Sequence, residues 1–218
     1  MRVITDIALE YDIDELVRFC HLDRISDKID NMKSIVVEGY KLLDPKAMYK
    51  ASRIEVKEDH VILEGGKILS SKLLAEKFKC THEVAVYIVT IGSDLEKRVA
   101  ELGVGDLYRS FILDNIGTYA LRQVFEYMKK DFEPNNSERI SKFSPGASTY
   151  WDIEQQKIIF DFLGKEKVRE SVGVTLNEYY VMAPKKSVSG VIGDTANLFH
   201  ECQICKKNCE YRKAPFSG

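Results

Sequence analysis

Cys202, Cys205 and Cys209 stand in C-x2-C-x3-C spacing, with His200 two residues before the first of them. Three thiolates this close can hold an iron–sulfur cluster with a fourth ligand from elsewhere, or a zinc ion together with His200. Lys206, Lys207, Arg212 and Lys213 lie around them. Cations lower thiol pKa values and attract an acidic electron donor. A solvated tail with free thiols is the competing reading. Cys20 and Cys80 stand apart and read as small buried hydrophobes.

A second stretch with chemical potential runs from Lys142 to Trp151, KFSPGASTYW. It joins a cation, a Pro-Gly turn and the sole tryptophan in one loop. Glycine has no side chain in the way, so such a turn lets the backbone approach a ligand closely. A plain turn that caps a helix at Ile153, with Trp151 packed on the core, uses the same residues. Other catalytic patterns are missing from the sequence. There is no phosphate-binding loop, no G-x-G-x-x-G, no nucleophile elbow and no H-E-x-x-H. His21, His60 and His82 are scattered and read as surface or core histidines. No acid–base pair suited to hydrolysis stands out. The chemistry left open is one of positioning.

The elements that must carry these residues show in the apolar spacing. Asp12 to Glu15 precede Leu16, Phe19 and Cys20, which predicts a short helix. Ile29, Met32, Val36, Tyr40 and Leu43 predict a second helix over Ser26–Leu43, stopped at Asp44-Pro45. Ile54 and Val56, then Val61 and Leu63, alternate with polar residues around Lys57-Glu-Asp59 and predict a hairpin closed by Gly65-Gly66. A helix from about Ser70 to Phe78 leads into EVAVYIVTIG, a run suited to a strand covered on both faces. Ser93-Asp-Leu-Glu96 has the form of a capping box. From Gly105-Asp106 to about Lys130 a long helix is expected, with Leu107, Phe111, Ile116, Ala120, Val124 and Met128 on one stripe. Gly117 inside it costs about 1 kcal/mol against alanine; simple tolerance is favoured over a close-packed neighbour or ligand. A helix over Ile153–Leu163 ends at Gly164. VGVTLNEYYVMAP and SVSGVIG then predict two strands, split at Pro184-Lys-Lys186.

The order of helices and strands has no regular βαβ alternation, so the class expected is α+β. Residues 1–199 read as one domain and residues 200–218 as a cysteine-rich basic tail. The chain has 218 residues, 44% hydrophobic and 30% charged, with a formal net charge of −2. That balance fits a folded domain and argues against nucleic acid as a partner. The longest apolar run, near Val84 to Val89, is far too short to span a bilayer. The acidic N-terminal stretch lacks the form of a signal peptide. A cytoplasmic protein without a membrane partner is the expectation.

KFSPGASTYWDIEQQKIIFDFLG, followed by VGVTLNEYYVMAPKKSVSG, resembles the activation domain of vitamin B12-dependent methionine synthase. In the second motif Leu176, Glu178, Met182, Pro184, Ser187, Val188, Ser189 and Gly190 fall in register. The resemblance is strong from Lys142 to Gly193 and weaker over Val84 to Lys130; it is not extended to the N-terminal third. It implies a twisted, mostly antiparallel sheet with flanking helices. It also implies a domain that binds S-adenosylmethionine as methyl donor for the reductive reactivation of cob(II)alamin. The cobalamin would be carried by a partner, the cobalamin-binding module of methionine synthase or another corrinoid protein. The electron would come from a flavodoxin- or ferredoxin-type donor. Ser144, Pro145, Gly146 and Ala147 would hold the ligand, Lys142 would meet its carboxylate, and Glu178, Tyr180 and Phe199 would line the pocket. Glu178 and Tyr180 read equally well as strand residues inside the sheet. This chain departs from the family pattern in three places: Lys142 replaces an arginine, Ala147 a tyrosine, and Leu198-Phe199 a tyrosine pair. The alternative is a docking or iron–sulfur redox module for a corrinoid protein that no longer binds S-adenosylmethionine.

Overall fold

The computed structural model describes residues 1–19, 29–133, 135, 137–206, 208, 212 and 214–217. Cys20, His21 and Cys209 therefore lie outside the described residues, as does the start of the helix expected from Ser26.

The central strand β5 (Glu83–Thr90) explains the architecture. All of its residues after Glu83 are buried. Side chains alternate between faces along a strand. Ala85, Tyr87 and Val89 accordingly enter one apolar core, and Val84, Val86 and Ile88 a second. On either side lie β2 (Lys46–Val56) and β9 (Ser187–Asp194), both antiparallel to it. β3 (His60–Leu63), β4 (Ile68–Ser70) and β6 (Ile140–Phe143) complete the order β4-β3-β2-β5-β9-β6, and β1 (Arg2–Ile4) pairs with β2. Every pairing in this seven-stranded sheet is antiparallel. The fold is α+β, a curled antiparallel sheet with helices on both faces.

The first core is covered by α1 (Ile13–Phe19), α2 (Ile29–Lys41), α4 (Asp94–Leu102) and the long α5 (Leu107–Phe132). The second is covered by α3 (Lys72–Lys77), α6 (Gln156–Leu163) and α7 (Lys165–Val172). Caps set the starts: Asp106 accepts the Arg109 amide at 2.9 Å, and Ser71 accepts that of Leu74 at 3.3 Å. Among the described residues no helix is long and apolar enough to cross a membrane.

Several expectations change. Gly65-Gly66 turns β3 into β4, a strand the reading omitted; β2 and β3 join through Lys57–Asp59. Ser93 adopts helical backbone angles and makes no side-chain cap bond, so the capping box does not form. Its glutamate, Glu96, instead accepts the Lys185 amide at 2.8 Å. On α5, Leu107 and Phe111 are exposed, while Ile112 and Leu113 join Ile116, Ala120, Val124 and Met128 in the core. Gly117 has close-packed neighbours. A methyl there would stand 2.9 Å from Leu95 Cδ2 and 3.2 Å from Ile91 Cδ1. Cys80 is exposed, not buried.

The stretch from Val172 to Pro184 is not one strand. It forms the end of α7 and a separate hairpin, β7 (Thr175–Leu176) with β8 (Met182–Ala183). Asn177 makes the turn, since its Oδ1 accepts the amides of Tyr179 and Val181 at 2.9 Å. Glu178 and Tyr180 sit in this turn, outside the main sheet, with Tyr180 at a φ of 60°.

Candidate functional site

α5 lies over β5 and β2, and a gap opens between it and the same face of β9 and β6. The gap is a cleft of about 720 Å³, within the range of small-molecule sites. Phe111, Leu121 and Phe125 of α5 form one apolar wall. Val89, Val188 and Ile140 form the floor. The remaining side is the segment Leu198 to Glu201.

Lys142 enters the cleft because register fixes its face. On β6 it stands opposite Ile192, which pairs with Ala85, and both of those belong to the α5-side core. Its Nζ lies 4.7 Å from the centre of the Phe125 ring, a cation–π contact. Glu126 and Lys129 pair at 2.6 Å on the α5 wall.

The Leu198–Glu201 side is held from the sheet. Ser141 Oγ accepts the Phe199 amide at 2.9 Å and shares a 2.5 Å hydrogen bond with Thr195 Oγ1. Thr195 also donates to the Asn197 carbonyl at 2.9 Å. Phe199 then stacks on Phe143 with centroids 5.4 Å apart and planes 10° from parallel. His200 caps the turn Glu201–Gln203: its Nδ1 accepts the Cys202 amide at 3.2 Å, and Gln203 returns a bond to the His200 amide.

This clamp delivers Glu201 to the cleft, a residue the sequence reading missed. Burial pushes its carboxyl up to about 7, while a backbone amide at Ser144 and the charge of Lys142 pull the other way. Ser144 links the group to the core, because its hydroxyl lies 3.3 Å from that of Tyr87. Burial raises the Tyr87 hydroxyl well above the ordinary tyrosine range. Gly190 makes room for this arrangement: a methyl there would collide with the Phe143 carbonyl and stand 3.0 Å from the Tyr87 hydroxyl.

Of the expected ligand positions, Lys142 and Phe199 both border the cleft, with His200 beside them, while the Phe199 ring itself packs into the second core against Phe143. Pro145, Gly146, Ala147, Glu178 and Tyr180 are not among its lining residues, and neither is Ser144. The Gly146 amide donates to the Trp151 carbonyl at 2.9 Å and that of Ala147 to the Ser144 carbonyl at 3.2 Å. Trp151 is buried in the second core, and Asp152 accepts the Glu154 amide to begin the next turn. The loop is a closed turn over a buried tryptophan, with Lys142 at its root facing the cleft.

The described part of the cysteine segment folds back on itself. The Arg212 guanidinium donates to the carbonyls of Cys202 and Cys205 at 2.6 and 2.8 Å. Among the described residues no group of three His, Cys, Asp or Glu side chains is placed to hold a metal ion.

No protein-family model matches the chain, and no curated protein matches it in sequence. Among solved structures it is similar to the MetH reactivation domain crystallised with AdoHcy, at 14% identity and a TM-score of 0.59. The match covers 89% of this chain and 72% of that one. Such coverage requires much of the N-terminal third, so the likeness runs well beyond the Lys142–Gly193 motifs. The chain has the fold of the MetH reactivation domain.

Proposed function

We propose that the chain binds S-adenosylmethionine in the α5–β6 cleft and serves the reductive reactivation of cob(II)alamin in a cobalamin-dependent methionine synthase. One observation carries this reading. Lys142 and Phe199, distant in sequence and marked separately by the resemblance, come together on a single cleft in a reactivation-domain fold. The residues suit the ligand. Aromatic and aliphatic walls can exclude water around an adenosyl group, and Lys142 offers a positive charge and Glu201 a carboxyl group to its zwitterionic end. S-adenosylmethionine supplies the methyl group, the partner's cobalamin receives it, and a low-potential flavodoxin or ferredoxin supplies the electron. The chain's own part is positioning: Lys142 holds the carboxylate, and the α5 wall and Leu198–Glu201 fix the ligand and shield it. Lysine gives a point charge where the family's arginine gives a fork, so the hold on the carboxylate is looser.

The test is direct. The protein is mixed with the partner's cobalamin module, S-adenosylmethionine and a low-potential reductant, and methylcobalamin is followed by its visible spectrum. Formation no faster than without the protein would refute the proposal. Calorimetry should show saturable S-adenosylmethionine binding, weakened about tenfold or more in Lys142→Ala as a charged hydrogen bond is lost.

A second reading rests on Pro145, Gly146 and Ala147 lying outside the cleft. It is a corrinoid-protein docking or redox module without S-adenosylmethionine, carrying an iron–sulfur cluster or zinc at Cys202, Cys205, Cys209 and His200. Binding of the corrinoid partner with no heat from S-adenosylmethionine would favour it. Elemental analysis after anaerobic purification would establish the metal.

A further inference from the structure

We propose that Glu201 is the carboxylate that holds the positive charge of the ligand bound in the cleft. The inference rests on the S-adenosylmethionine reading and adds a specificity residue to that site. Glu201 belongs to no motif that carries the resemblance, and it arrives from the segment otherwise notable for its cysteines.

The geometry prepares it for this role. The Ser141–Thr195–Phe199 clamp fixes the chain before it and the His200–Gln203 box fixes the chain around it. A carboxylate accepts through two oxygens with several lone-pair positions. A backbone amide at Ser144 fills one of these, and the rest of the group borders the cleft.

Some of the other charged groups bordering the cleft have neighbours of their own. On α5, Glu126 pairs with Lys129, and Asp114 pairs with Lys186 at 2.9 Å. Arg122 on the same wall is cationic, and Glu138 reaches the cleft from the turn ahead of β6. Lys142, on β6, is the cation whose field acts on Glu201. With Lys142 meeting the ligand carboxylate, Glu201 borders the same cleft and is placed to meet the ligand's cationic groups. A carboxylate left without a partner in a partly buried site is costly, so the pairing selects cationic ligands over neutral ones. Two groups of S-adenosylmethionine share this chemistry, the sulfonium and the α-amine.

Calorimetric affinities of the full-length protein for S-adenosylmethionine and for S-adenosylhomocysteine separate them, because the second keeps the amine and has a neutral thioether. Glu201→Gln keeps size and an acceptor for the Ser144 amide, and Glu201→Ala is the second variant should glutamine disturb folding. The expected result is binding of S-adenosylmethionine about tenfold to a hundredfold weaker in the variant. An unchanged affinity for S-adenosylhomocysteine assigns Glu201 to the sulfonium; an equal loss for both assigns it to the amine. Wild-type affinity for both ligands in a folded variant overturns the inference and leaves the S-adenosylmethionine reading standing. Failure of the wild-type protein to bind either ligand overturns both.

Discussion

At the scale of single residues, two glycines make opposite predictions. Gly190 faces a backbone carbonyl, that of Phe143, which is tied into the β6–β9 ladder and cannot yield. Gly190→Ala should lower stability by about 1–3 kcal/mol or more, read as a lower urea midpoint, because overpacking here must shift main chain. Gly117 faces only the ends of flexible side chains, Leu95, Ile91 and Lys186. Gly117→Ala should stay within about 1 kcal/mol of wild type, the helix-propensity gain offsetting the crowding. Equal destabilisation by the two substitutions would contradict the distinction. Neither glycine's neighbour was legible in the sequence. A pattern of spacing shows that a residue is small and in a helix or strand, not what stands across from it. Glu201 escaped for the same reason: its place depends on the pairing of Ser141 with a segment more than fifty residues away.

At the scale of elements, α2, α4 and α5 are joined through one carboxylate. Glu38 accepts from Arg98 Nε at 2.9 Å and from Arg109 Nε at 2.8 Å. Burial alone would push its carboxyl up, but the bonds and charges of Arg109 and Arg98 outweigh that and hold it below its ordinary value of 4.5. A depressed carboxyl contributes stability that is present above the unfolded value and is lost as pH falls through the folded one. Glu38→Gln should therefore cost about 1 kcal/mol at neutral pH, given a partly exposed site. The gap from wild type should close between about pH 5 and pH 3 as Glu38 protonates. Urea denaturation of both proteins across that range checks it, and a gap independent of pH would mean that charge is not the cause. Elements with strong local patterns were the legible ones. β5 showed its burial on both faces, and α5 showed its length and most of its core stripe. The segment from Val172 to Pro184 misled because its β-branched and aromatic residues fit a strand, while Asn177 imposed a turn through bonds that hydrophobic spacing does not register.

At the scale of the whole molecule, one sheet serves two cores. Trp151, the sole tryptophan, reports on the core beneath α6 and α7. Helical circular dichroism is weighted towards α5, on the opposite core. Because β5 contributes alternate residues to both, the two signals should fall together in urea. Ile88→Ala, a truncation on the tryptophan side, should shift both by about 2–5 kcal/mol. Separate transitions would show that the two layers unfold independently of the shared strand.

The strand order also dictates a schedule. β6 has a single strand neighbour, β9, which lies between it and β5. β6 ends at Phe143, and β9 does not begin until Ser187. A chain emerging from its N-terminus can complete β1 to β5 and the helices against them, but the half-sheet that carries Lys142 must wait for that late insertion. Distant pairings of this kind are slow to form. The cleft is thus the last part of the protein to exist. Refolding should recover α5 and β5 before it recovers any capacity to bind a ligand.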